Sequence, residues 1–244
     1  FKIYGGMYYG VAIENCEITE EEVNERVKKV LMAKYWAGLD KVPYIDTTNL
    51  IADLNTPDAV FLQRKMYEQS LTALTNKSSI LPLKDLESMR IASIVIGDNK
   101  NNAFQEQLLK YGQVDVFSED KDAPVSMFEA MAGFMANYDL VILSLHGTTM
   151  KAQTNFGIPH AARNFIDTIL KTYSTVFVNF GNAYTLSQFN NLSNAEAVVI
   201  AYEDWPLTHE LTAQAVMGGL SMEGRLPVNS TELFPRGSGI NTAD

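Results

Sequence analysis

The residues whose types and positions could do chemistry are three histidines, His146, His160 and His209, and an acidic pair, Glu203-Asp204. His146 opens a His-Gly-Thr triplet directly after the apolar run 140–145, which makes it a candidate general acid. Glu203 and Asp204 follow the apolar run 197–201 and are candidates for accepting hydrogen bonds from sugar hydroxyls. Asn182, behind Phe180-Gly181, ends a third apolar run and joins them as a substrate-contact candidate. Tyr202 and Trp205 flank the acidic pair, and aromatic faces stack on the C–H surface of sugar rings. Each position also has a plainer reading, as a polar cap, a loop residue or, for Trp205-Pro206, packing at a helix start.

Other chemistries find little support. Ser144 and His146 alternate on one strand and so share a face. A hydrolase serine usually sits on a glycine-flanked elbow, whereas Leu143 and Leu145 flank this one. Neither His160 nor His209 has a second ligand at recognised metal spacing, so no metal site is expected. Gly97-Asp98-Asn99 is not a phosphate loop, and Gly237-Ser238-Gly239 has no helix after it, so no cofactor is expected. Net charge −10 and a pI near 4.8 would repel a polyanion, which argues against nucleic-acid partners. No apolar run approaches the roughly 20 residues of a membrane span. The lone Cys16 cannot form an internal disulfide, and the glycosylation triplets at Asn76, Asn191 and Asn229 carry no weight.

The elements that must position these residues alternate. Thr19 followed by Glu22 is a capping-box pattern, and Val23, Val27, Val30, Leu31 and Tyr35 recur at helical spacing until Gly38. Residues 41–55 are polar and turn-rich, with Pro43 and Asp46, and read as a linker. Thr56-Pro57 starts a second helix. Then strands at 91–96, 114–117, 140–145, 176–180 and 197–201 alternate with helices at 103–109, 127–136, 160–170 and 207–217. Such strands, apolar on both faces, imply an α/β fold: a doubly wound, mainly parallel sheet with helices on both sides. Ligands in such sheets bind outside the strands' carboxyl ends, where the strand order reverses. The opening stretch 1–10 lacks the pattern of a signal peptide, and the expectation is that the chain begins inside a longer polypeptide.

Several segments together resemble family 3 glycoside hydrolases. Ile18-Thr19-Glu20-Glu21-Glu22-Val23 through Gly38-Leu39 resembles the last helix of that family's barrel. Ser70 to Asn76 with Leu81-Pro82-Leu83 is similar to the opening of its second domain. Phe180-Gly181-Asn182-Ala183-Tyr184, Ala201-Tyr202, and Gly218-Gly219 through Gly224-Arg225-Leu226-Pro227-Val228, Phe234 and Gly237-Ser238-Gly239 complete a series in the family's order. Thr75 and Ala183 depart from it, standing where Lys or Arg and Pro are common.

The resemblance implies a division into a barrel remnant (1–40), a linker (41–55) and an α/β sandwich (56–244). It implies a retaining β-glycosidase whose nucleophilic Asp lies in the barrel, so that no catalytic residue is carried by this chain. The acetylglucosaminidase-like branch is the slightly better match, because residues 88–220 hold no distinctive acid loop. The partners implied are the N-terminal barrel of the same polypeptide and a carbohydrate, and the location periplasmic or extracellular. An uncovered apolar face at 20–37 predicts self-association of the fragment. The competing readings are a non-catalytic sugar- or nucleotide-binding α/β module and a purely structural domain.

Overall fold

The computed structural model describes residues 10, 12–15, 17–41, 47–98 and 101–242. The start of the opening stretch (1–9), Cys16, the linker residues Pro43 and Asp46, and Asn99 lie outside the described residues. The chain divides into two compact units, Phe1–Thr56 and Pro57–Asp244.

In the first unit, helix α1 spans Glu20–Trp36. Its capping box is formed: Glu22 N donates to Thr19 Oγ1 at 3.1 Å, and Thr19 N donates to Glu22 Oε2 at 3.0 Å. Two orphan donors are thereby satisfied, and Glu20, Glu21 and Glu22 face the positive end of the helix dipole. Gly38, at φ +72°, ends it. Val27, Val30, Leu31 and Tyr35 are all exposed along α1. The polar segment expected to be a linker contains a short helix, α2 (Leu50–Leu54).

The second unit opens with α3 (Pro57–Ser70), which has Pro at its first turn where the missing N–H costs nothing. A six-stranded sheet follows, in the order β1-β6-β5-β4-β2-β3. The strands are β1 (Thr72–Asn76), β2 (Ile91–Ile96), β3 (Val114–Glu119), β4 (Leu140–Leu145), β5 (Thr175–Asn179) and β6 (Ala197–Ile200). All neighbours pair in parallel except β1, which runs antiparallel to β6. Every residue of β2, β4, β5 and β6 is buried, as expected of a parallel sheet covered on both faces. This is the mainly parallel α/β sheet expected from the alternating pattern. The sequence reading did not include β1.

Four helices follow their strands: α4 (Ala103–Leu108), α5 (Val125–Phe134), α6 (His160–Thr172) and α7 (Pro206–Val216). One core layer contains Phe128 of α5 and Phe165 of α6, stacked with centroids 5.0 Å apart. The other contains Phe104 of α4, Leu211 and Val216 of α7, and Phe180 just past β5. From β2 the chain passes to β3 on one side, then to β4 on the other. The order therefore reverses between β2 and β4, at the carboxyl ends carrying Gly97-Asp98 and His146-Gly147.

Gly224, within the C-terminal motif, approaches the junction of α3 and β1. Its N–H donates to Leu71 O at 3.0 Å, and a Cβ there would lie 2.4 Å from Ser70 O. Only glycine allows the final segment to lie this close.

Candidate functional site

Two strand ends and one helix start build the site. His146 follows β4 and is held by its own N–H, which donates to Ile96 O of β2 at 2.9 Å. At the end of β6, Tyr202 takes a left-handed conformation at φ +66°, unusual for a bulky residue. Its hydroxyl lies 3.0 Å from Thr72 Oγ1, which fixes the turn. Glu203 and Asp204 follow, and Trp205 caps α7, where Thr208 Oγ1 accepts from Trp205 N at 3.1 Å. His209 lies one turn into α7 and is 5% exposed.

Asp204 gathers these pieces. Its Oδ1 lies 2.9 Å from His146 Nδ1 and 2.6 Å from His209 Nε2, and its Oδ2 accepts from Gly147 N at 2.7 Å. An ionised carboxylate only accepts, so each of those ring nitrogens carries its proton. His146 Nε2 then faces Ser144 Oγ at 3.0 Å and Asn102 Nδ2 at 3.5 Å. Asn102 also donates to Asp98 Oδ2 at 3.0 Å, which ties the end of β2 to the cluster. The Phe180 ring stacks on His146 with centroids 4.5 Å apart and meets His209 edge-on at the same distance.

Burial pushes the His146 imidazole below its ordinary value, against the upward pull of its hydrogen bond to Asp204. Burial acts in the opposite sense on Asp204 and would raise its carboxyl. The hydrogen bonds from His146 and His209 outweigh that, with the Gly147 N–H adding to them, and hold Asp204 well below the usual carboxylate range. The result is an ionised carboxylate beside a neutral, buried imidazole.

Ser144, His146 and Asp204 stand in the order of a catalytic triad. Yet Ser144 and His146 are both 0% exposed, so no substrate carbonyl can reach the hydroxyl. Acyl transfer is therefore excluded at this serine. A different property of the cluster is open: Asp98, His146 and His209 each offer one ligand atom, and these lie within 4.8 Å of one another.

Of the four substrate-contact candidates, the structure brings His146 and Asp204 into direct contact. Glu203 is exposed beside them, and its carbonyl accepts from Thr208 Oγ1 at 2.8 Å. Asn182 caps the turn after β5, its Oδ1 accepting from Tyr184 N at 2.9 Å. Trp205 is 57% exposed, so it does not serve as helix-start packing. His160 is exposed on α6, away from this cluster, with Asn164 Nδ2 3.2 Å from its Nδ1. Sequence reasoning ranked His209 low and did not single out Asp98, because they come from α7 and the β2 loop, and no sequence spacing connects them to His146.

No protein-family profile matches the chain. A protein of Formosa agariphila named "Putative beta-xylosidase" is 24% identical over 238 residues, covering 86% of this chain and 31% of that protein. Among solved structures, a family 3 β-N-acetylglucosaminidase from Paenibacillus sp. matches with a TM-score of 0.63 and 16% identity, over 91% of this chain and 42% of its own. A β-glucosidase from Listeria innocua in complex with glucose matches with a TM-score of 0.58 and 19% identity, over 89% of this chain and 33% of its own. The six-stranded α/β sheet is thus the fold of family 3 C-terminal domains, and the likeness read from the sequence is met by solved structures of that kind. The chain spans about a third to two-fifths of the length of these proteins. No helix among the described residues is long and apolar enough to cross a membrane.

Proposed function

We propose that the chain is the C-terminal α/β domain of a retaining β-glycoside hydrolase, acting with a catalytic barrel on the same polypeptide and bordering its substrate cleft. The observation that carries this reading is the coverage: about nine-tenths of this chain superposes on glycosidases of which it matches only 33–42%. In this reading residues 1–40 belong to the barrel's end, 41–55 link the two bodies, and 56–244 form the sandwich.

The site's chemistry agrees. A retaining mechanism needs a free carboxylate nucleophile with a proton donor close by, about 5 Å away when both are carboxyls. Asp204 is ionised, but both its oxygens accept hydrogen bonds. It is therefore a positioning group, and in this reading the nucleophilic Asp belongs to the barrel, as the family resemblance implies. Exposed Glu203 and Trp205 are the groups free to meet a sugar at the cleft's edge.

The test is to assay the 244-residue chain and its longer parent on nitrophenyl glycosides of glucose, N-acetylglucosamine and xylose. Turnover by the parent and none by the chain is expected. Turnover by the chain alone, or silence from both, overturns the reading.

A further inference from the structure

We infer that Asp98, His146 and His209 form a binding site for a zinc-class transition-metal ion, with Asp204 as the carboxylate that orients both imidazoles. Two imidazoles and one carboxylate are a donor set that suits Zn²⁺, whereas Mg²⁺ and Ca²⁺ favour oxygen alone. The three ligand atoms already lie within 4.8 Å of one another. Tetrahedral zinc with bonds of about 2.0–2.1 Å brings its donors to roughly 3.4 Å apart. The remaining closure falls to Asp98, which is only partly buried and lies on the loop after β2, not within a strand.

The surroundings match those of a histidine metal site. Metal-bound imidazoles usually donate their second N–H to a carboxylate, which fixes tautomer and ring orientation. Asp204 Oδ1 takes one N–H from each ring, at 2.9 and 2.6 Å, which leaves the buried His146 ring with its lone pair on Nε2. Asn102 Nδ2 spans His146 Nε2 and Asp98 Oδ2, so these two groups face a common space. Ser144 Oγ, now 3.0 Å from His146 Nε2, has Ile94 O at 3.3 Å as an alternative acceptor and can release the nitrogen to a metal. Phe180 packs against both rings and limits their rotation. The cluster stands where the strand order reverses, the position at which such sheets bind ligands. Three protein donors leave a fourth position for water or a ligand atom.

The experiment strips the chain with a chelator, adds zinc chloride, removes the excess by gel filtration and measures retained zinc and the thermal midpoint. One zinc per chain and a raised midpoint are expected for the wild type. Asp98→Asn, at a partly exposed loop position that spares the core, should weaken zinc binding about a hundredfold while circular dichroism stays unchanged. Asp204→Asn should weaken it about 10- to 100-fold. No zinc retained by the wild type, or zinc retained equally by Asp98→Asn, overturns the inference.

Discussion

His146 Nδ1 lies 2.9 Å from Asp204 Oδ1, a hydrogen bond that joins residues 58 positions apart. It fastens the end of β4 to the turn between β6 and α7, across the intervening strand β5. The same carboxylate oxygen also holds His209. One side chain therefore determines how three elements meet at the sheet's carboxyl edge.

Asp204→Ala should accordingly destabilise the domain. It leaves two buried imidazole N–H groups and the Gly147 N–H without their acceptor. Hydrogen bonds to a charged group contribute about 1.5–3 kcal/mol, and the Asp204 side chain is 31% exposed, so a loss near 2 kcal/mol is expected. Urea unfolding followed by circular dichroism measures it. A midpoint equal to wild type would show that the network contributes nothing to stability.

Stability should fall as the solution becomes acidic. The folded His146 value lies below its unfolded value near 6.5, so the unfolded chain binds the extra proton and stability drops as pH falls below about 6.5. Asp204 acts in the same direction at lower pH. Its folded value is depressed, so its contribution is full above the unfolded value near 3.9 and fades as pH falls below it. Thermal midpoints at pH 7, 6 and 5 should decline for the wild type. His146→Asn, whose amide can still donate to Asp204, should flatten the decline, and an unchanged slope would rule out His146 as its source.

Gly97→Ala should strain the point where the sheet order reverses. Gly97 has φ +90°, and a Cβ would lie 2.6 Å from the backbone oxygen of His146. Left-handed strain alone costs about 1–3 kcal/mol, and a clash with backbone cannot be relieved by a rotamer change. Differential scanning calorimetry should show a lower midpoint, and the shift should exceed that of Gly133→Ala, where a Cβ meets nothing within 4 Å.

If this domain borders a sugar cleft, Glu203→Ala and Trp205→Ala in the longer parent should lower kcat/KM about tenfold, equivalent to about 1.4 kcal/mol. Both side chains are exposed, so folding stability should not change. Steady-state kinetics decides. An unaltered kcat/KM in both variants would make the domain a scaffold that does not touch substrate.

The strands buried on both faces were legible because a parallel sheet writes itself as near-continuous apolar runs, interrupted here only by Ser93 and Ser144: Ile91–Ile96, Leu140–Leu145 and Ala197–Ile200. Strand β1 was not legible. Thr-Ala-Leu-Thr-Asn is short and mixes strand-favouring Thr with Ala and Asn, which are depleted in strands, and its conformation comes from pairing with β6. End-of-strand reasoning named His146 and Asp204 but not their bond, which depends on the left-handed turn at Tyr202 and on β4 and β6 both flanking β5. His209 was hidden for the same reason, since only the fold brings α7 over the end of β4.

The antiparallel edge strand bears on how the domain is made in the cell. Thr72 pairs with Ile200, and Ala73 also bridges to Ile240, almost at the other limit of the unit. As the chain leaves the ribosome, β1 emerges before every other strand, yet it must wait for the last to be synthesised before it has a partner. Closure of this edge is therefore a late event in biogenesis, and ribosome-stalled chains that end before β6 should remain open to protease at β1, whereas chains that include β6 should protect it.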